Sequence, residues 1–278
     1  MTNNFQTGAK FIMKSLREEL EWLRDKYSIV GVKGGTEIEA MTFDDIYTMR
    51  SVSDGILPMT VKIGGAEARN DIDYMMSIGV DTILAPMIES PYALRNFVRK
   101  METMDKDHTC RIAVNIETIF AYNNLTAIFA MSEFEQVHSV TVGRTDLSGS
   151  LGMNVDSDRV TEITADIIRR AKQYDKMTSV GGKIMPDNAE LVKTGTKPNT
   201  INTRHIIIDT SADNITESVY YALLWERDFY LHLRNLYPLR AEFYSLRMMS
   251  IENRINYVDY HHSPVNTPDK QIVWDVLP

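Results

Sequence analysis

The chain has 278 residues, 44% of them hydrophobic and 24% charged, with a formal net charge of −8. That length allows one core of roughly 200 to 250 residues plus an appendage, and the acidic balance removes any general attraction for nucleic acid or an anionic membrane. The single cysteine, Cys110, cannot form an internal disulfide, the N-terminus runs through Lys10, Lys14 and Arg17 without an apolar signal core, and no stretch reaches the ~18 apolar residues of a membrane span. The expectation is a cytoplasmic protein with neither nucleic-acid nor membrane partners.

Residues 9–26 read as a helix, because Ile12, Leu16, Leu20 and Leu23 recur at three- and four-residue spacing with charges between them. A rhythm of short apolar or β-branched runs follows, at 28–32, 57–63, 82–88, 111–116, 137–142, 178–184 and 205–209. Between them lie amphipathic segments such as 43–50, 66–78, 91–101 and 159–173. Several open with a cap, as Thr42 does before Phe43-Asp44-Asp45, or Ser90 before Pro91. Strands spaced in this way with helices between them predict right-handed crossovers and a parallel sheet. Seven strands in so short a stretch favour a closed (β/α)8 TIM barrel of the α/β class, one strand remaining unassigned. No Gly-x-Gly-x-x-Gly follows the first strand, which argues against a dinucleotide fold.

From Asn214 to about Tyr257 the chain becomes helical and rich in Leu, Tyr and Arg, broken at Pro238. Its apolar stripe, which includes Tyr220, Leu223, Leu224, Phe229, Leu233, Leu236, Phe243, Leu246 and Met249, exceeds what a barrel closed by its own helices needs. The stripe is therefore assigned to a subunit contact in a homo-oligomer, with folding back onto its own barrel as the alternative. Residues 261–278 contain three prolines and read as an extended arm. The organisation is an N-terminal helix at 1–27, a barrel at 28–212, and C-terminal helices with a tail at 213–278.

In a parallel barrel the polar residues just after the strands share one mouth. Here they are Lys33 and Glu37, Lys62, Glu89, Glu117, Arg144 with Asp146, Lys183 and Asp209. Acids and bases in one cavity suit a metal-bound anion better than a neutral ligand. Two runs are the most informative. Val-Asn-Ile-Glu-Thr at 114–118 and Val-Gly-Arg-Thr-Asp-Leu-Ser-Gly-Ser-Leu-Gly at 142–152 each leave an apolar strand in a carboxylate, Glu117 and Asp146. Convergence of these two at one rim would suit a hard divalent cation; a strand-end ion pair with Arg144 or Lys62 is the plainer reading.

Together with Gly79-Val-Asp-Thr-Ile-Leu-Ala-Pro-Met-Ile-Glu-Ser-Pro-Tyr-Ala-Leu94, these motifs resemble the HpcH/HpaI aldolase and citrate lyase β-subunit family of the pyruvate and phosphoenolpyruvate barrel superfamily. The match runs over roughly residues 28–210. The resemblance implies that Glu117 and Asp146 bind Mg²⁺, Mn²⁺ or another divalent cation, which chelates the keto oxygen and carboxylate of pyruvate or oxaloacetate. It also implies that the backbone of the turn Gly143-Arg144-Thr145-Asp146 holds the substrate carboxylate. Two carboxylates leave most of an octahedral shell open for such a ligand.

The departures are specific. Lys62 stands where the family has arginine, and supplies a point charge without a planar fork. The family's early histidine has no counterpart, since the first histidine is His108; Lys33 and Glu37 occupy that stretch. Arg144 replaces a common proline and is expected to add a cation beside the metal. A Schiff base on Lys62 or Lys33 is a further option. Glu89 either positions a metal water or caps the following helix.

The resulting expectation is a divalent-metal-dependent carbon–carbon lyase or aldolase acting on a small 2-oxo acid. Lys62 and Lys33 are its catalytic candidates, Gly143, Arg144, Thr145 and Glu89 its substrate-binding ones, and Glu117 and Asp146 its metal ligands. The alternatives are a citryl- or malyl-CoA type lyase of the same fold, and a catalytically altered barrel serving as a binding or assembly subunit.

Overall fold

The computed structural model describes residues 15–107 and 109–261, the last six of these as backbone only. The first helix, α1 (Leu16–Tyr27), begins at a capping box built by Ser15 and Glu18 and buries Leu20 and Leu23. The expected residues 9–14 of that helix, and the tail beyond 261, lie outside the described residues. The barrel then alternates β1 (Ile29–Gly35), α2 (Phe43–Ser53), β2 (Met59–Lys62), α3 (Arg69–Ser77), β3 (Thr82–Ala85), α4 (Pro91–Met104), β4 (Arg111–Ile116), α5 (Ile119–Asn123), α6 (Leu125–Phe129), β5 (Val137–Gly143), α7 (Arg144–Leu151), α8 (Asp158–Lys172), β6 (Met177–Gly181), α9 (Ala189–Thr196), β7 (Thr200–Asn202) and β8 (Ile206–Asp209). The strands close into a barrel in sequence order.

The strand missing from the sequence pattern is β7. Only three residues long, it hides its one buried aliphatic, Ile201, between Thr200 and Asn202. The barrel also departs from the all-parallel expectation at one place. Strands β1 to β7 pair in parallel, whereas β8 is antiparallel to both β7 and β1. The linker Thr203-Arg204-His205 is too short for a crossover, so the chain turns back as a hairpin. Asp209 is consequently removed from the mouth: its N–H donates 3.0 Å to the carbonyl of Ser28, at the start of β1. His205 takes its place at the opposite end of the strand.

Alternation along each strand sorts the side chains. Met59 and Val61, Ile112 and Val114, Val140 and Val142, and Val180 point outward into the hydrophobic shell beneath the helices. Their neighbours Gly31, Thr60, Ala113, Thr141, Ser179 and Asn202 point inward and line a cavity of about 170 Å³ along the barrel axis. Continuing each inward row by two residues leads to Lys33 and Gly35, Lys62, Asn115 and Glu117, Gly143, and Gly181. The inward rows of the strands are therefore what deliver the polar side chains to the mouth.

The C-terminal extension comprises α10 (Ile215–Leu236) and α11 (Ala241–His261). The assignment of its whole apolar stripe to a subunit contact is corrected. Leu223, Phe229, Leu233 and Tyr230 are fully buried within the chain, where α10 packs against α1, α9 and β8. Of the stripe, Leu236, Leu246 and Met249 stay exposed, together with Leu239. No described helix is long and apolar enough to cross a membrane. Cys110 is buried and free, its thiol pushed up to about 12 chiefly by burial.

The β7–β8 hairpin is anchored by buried polar groups. Glu226 of α10 accepts from the Thr203 hydroxyl (2.6 Å) and the His205 backbone N–H (2.5 Å), while the His205 ring lies 2.8 Å from the Lys33 carbonyl and 2.6 Å from the Tyr230 hydroxyl. The carbonyl can only accept, so Nδ1 donates to it and Nε2 accepts from tyrosine. Burial holds the His205 pKa below the usual histidine value. The unfolded chain then binds a proton that the folded one refuses, so stability is full above the unfolded value of about 6.5 and falls as pH drops below it, by up to about 1.4 kcal/mol per pH unit from this group. In urea titrations between pH 7.5 and 5, His205→Gln is expected to flatten this acid-side slope; an unchanged slope would assign it to other groups.

Candidate active site at the barrel mouth

Lys62 is the centre of the mouth. At the last residue of β2 and only 3% exposed, its Nζ lies 2.5 Å from Glu37 Oε2 and 3.1 Å from Glu117 Oε2. Burial works against the ammonium, but Glu117 and Glu37 outweigh it and hold the lysine pKa above its ordinary value. An amine kept protonated is not a nucleophile at neutral pH, which removes support for a Schiff base at this residue.

Glu117 is fully buried. Its Oε1 accepts from the Met87 backbone N–H at 2.9 Å, and its Oε2 accepts from Lys62 and from the Asn115 amide. It fits because Gly143, the facing inward position of β5, has no side chain: a Cβ there would come within 2.7 Å of Glu117 Oε2. Burial is the main cause that pushes its pKa up to about 7, and the charge of Asp146 adds to that rise against the opposing pull of Lys62. The plainer ion-pair reading holds for Glu117 and Lys62.

Asp146 is half-buried in the first turn of α7, whose N-cap Gly143 provides no side-chain cap. The first N–H groups of a helix lack intrahelical partners and favour anions. Here Gly182, at φ +95°, faces them, and a Cβ on it would lie 2.6 Å from Thr145 N and 3.0 Å from Arg144 N. The missing side chain leaves a cradle beside backbone donors, the arrangement expected of Gly143 to Asp146.

Other candidates are placed differently. The expectation that the Arg144 side chain adds a cation here is corrected. Its guanidinium is buried and donates to the Val155 carbonyl at 2.8 Å and Asp156 Oδ1 at 2.5 Å. Only its backbone N–H faces the mouth. Thr145 has an exposed side chain. Lys33 lines the barrel cavity and reaches Glu39 only at 3.9 Å. Glu89 does not cap α4, a role taken by Ser90; its carboxylate accepts from the hydroxyl of Thr118, next to Glu117. Sequence reasoning passed over Asn115 and Glu39. Asn115 is two positions before Glu117 on the same inward row, a signal that strand parity alone carries. Glu39 is 4% exposed with Oε2 lacking a hydrogen-bond partner among the described residues, and no local pattern announces it.

For a cation, the donors on offer are Glu117 and Asp146. No group of three or more His, Cys, Asp or Glu among the described residues could hold a metal. Two carboxylates nevertheless suit Mg²⁺, which keeps water or substrate oxygens in its remaining positions.

The family model described as HpcH/HpaI aldolase/citrate lyase matches residues 59–184, which carry Lys62, Glu117, Asp146 and Gly182. The chain carries an HpcH/HpaI aldolase/citrate lyase domain. No curated protein matches the sequence. Among solved structures, an HpcH/HpaI aldolase/citrate lyase family protein from Burkholderia cenocepacia J2315 is similar at 16% identity and TM-score 0.53, covering 68% of this chain and 83% of its own. An HpcH/HpaI aldolase from Desulfitobacterium hafniense DCB-2 is similar at 18% identity and TM-score 0.51, covering 65% of this chain and 87% of its own. At that identity the likeness concerns the barrel fold. The match to an aldolase and lyase family model over residues 59–184 supports the lyase class for that segment.

The pairing at the centre of the mouth has a measurable consequence. Removing one partner of a buried pair leaves the other uncompensated, at a cost of about 3 kcal/mol or more. Lys62→Met should therefore lower unfolding free energy at pH 8 by that order, and adding Glu117→Gln should restore part of it. A urea-denaturation double-mutant cycle showing no coupling above about 0.5 kcal/mol would mean the two groups do not interact.

Proposed function

We propose that the protein is a divalent-metal-dependent carbon–carbon lyase or aldolase that acts on a small 2-oxo acid such as pyruvate or oxaloacetate. The observation that carries this reading is the buried pair of Glu117 and Lys62 at the barrel mouth, together with the cradle that Gly182 leaves at the backbone N–H groups of Arg144 and Thr145. Glu117 and Asp146 would hold Mg²⁺ or Mn²⁺, which when bound polarises the keto group as a Lewis acid. The backbone N–H groups of Arg144 and Thr145 hold the substrate carboxylate in the space left by Gly182. The Lys62 ammonium offsets the negative charge that develops on the keto oxygen as the carbon–carbon bond breaks or forms. Glu37, ion-paired with Lys62, keeps that ammonium aimed, while Asn115 and the Met87 N–H fix the Glu117 carboxylate.

The test is proton exchange at the methyl group of pyruvate, followed by NMR in D₂O. Exchange is expected with added Mg²⁺ or Mn²⁺ and should stop on addition of EDTA. Glu117→Gln and Asp146→Asn should each lower the rate at least 100-fold, or about 2.7 kcal/mol of barrel-mouth stabilisation. Exchange that survives chelation sinks the metal-dependent reading. A folded protein that exchanges nothing with any metal, and binds no acyl-CoA thioester, would instead support the binding-subunit alternative.

A further inference from the structure

Helix α11 lies against the loops at the mouth end of its own barrel, and Arg240, just before it, and Arg247 and Arg254, within it, fall seven residues apart on the side that meets those loops. Arg240 donates to the Ala40 carbonyl (2.8 Å), Arg247 to the carbonyls of Ile38 (2.8 Å) and Glu39 (3.3 Å), and Arg254 to the Ile184 carbonyl (2.5 Å). These contacts strap the helix to the loops after β1 and β6, yet they leave donors over. The Nε atoms of Arg247 and Arg254 are buried with no hydrogen-bond partner among the described residues. A third guanidinium comes from the β7–β8 hairpin: Arg204, half-buried and without a hydrogen bond or ion pair to a described residue, lies between Thr203 and His205, both bonded to Glu226, which stands 3.9 Å from Arg254. Its charge is felt at both neighbours, where, after burial as the first cause, it holds the pKa of Arg247 and of Arg254 below the ordinary arginine value.

The carboxylates nearest this cluster are Glu39 and Glu226. Glu226 Oε1 is engaged by Thr203 and His205, while its Oε2 has no hydrogen-bond partner among the described residues and stands 3.9 Å from Arg254. Three guanidinium groups against two carboxylates leave one positive charge unmatched in a largely desolvated place, where an uncompensated ion is costly. An anion with several oxygens would use both the spare charge and the free N–H donors, which arginine presents in fixed planar geometry.

We propose that Arg204, Arg247 and Arg254 form a binding site for an oxyanion group, carboxylate or phosphate, carried by the co-substrate of the 2-oxo acid. Naming the ligand as a co-substrate rests on the lyase reading above; the existence of the site does not. In this arrangement the C-terminal helix, rather than the barrel strands, selects the second reactant.

Isothermal titration of the full chain with inorganic phosphate and, separately, with succinate tests the proposal, glycerol serving as the neutral probe. At least one oxyanion is expected to bind, and Arg204→Met, which breaks no hydrogen bond among the described residues, should weaken that binding at least tenfold. Arg99→Met, an exposed change on α4, should leave it unaltered. Binding of phosphate alone or succinate alone identifies which chemistry the site takes. The proposal is overturned if neither anion binds, if glycerol binds equally, or if Arg204→Met binds like the unmodified protein. Pyruvate exchange measured in parallel keeps the two readings apart, because oxyanion binding without exchange removes the lyase and leaves the arginine site standing.

Discussion

A single buried ammonium organises the mouth of this barrel. Lys62 joins the loop after β1, through Glu37, to the end of β4, through Glu117, and both carboxylates sit in places where water would otherwise have to solvate them. Ions moved out of water are tolerated only when paired and hydrogen-bonded. Much of the local sequence can be understood as meeting that condition. Asn115 and the Met87 N–H complete the acceptors of Glu117, and Gly143 gives up its side chain so that the carboxylate has somewhere to lie. The same pairing fixes the chemistry open to the site: a lysine held charged can stabilise anionic character on a neighbouring oxygen but cannot attack a carbonyl.

The barrel and its rim were largely legible from sequence because both follow from periodicity. Apolar alternation marks the outward rows, and extending the inward rows by two residues reaches Lys62 and Glu117. Glycines at Gly143 and Gly182 gain their meaning only from facing partners, Glu117 and the backbone of Thr145, which no one-dimensional pattern supplies. Three features stayed hidden for identifiable reasons. Strand β7 is too short to show a period, the reversal of β8 leaves no trace in hydropathy because alternation has no direction, and the Arg144 side chain is captured by Val155 and Asp156, more than ten residues onward.

The C-terminal stripe illustrates a different lesson. Its apolar content was excessive for a barrel wrapped only by its own crossover helices, and that arithmetic was sound. The surplus is absorbed by α1, which lies against α10 and offers Trp22 and Tyr27 to the ring of Tyr221 at centroid distances of 5.1 and 4.5 Å. An appended helix at each end of the chain thus forms a small layer outside the ring, and its interior consumes most of the hydrophobic area that suggested a second copy.

The four-residue strand β8 decides where the C-terminal helices lie. Had it run with its neighbours, the following helix would have descended from the rim and delivered the remaining chain to the far face, away from any chemistry. Because it points downward instead, α10 must climb back; its 22 residues span about 33 Å at 1.5 Å per residue, enough to regain the rim, where the bend at Pro238 lays α11 against the loops after β1 and β6. A substitution on α11 therefore alters the surroundings of the barrel mouth while every strand stays as it is.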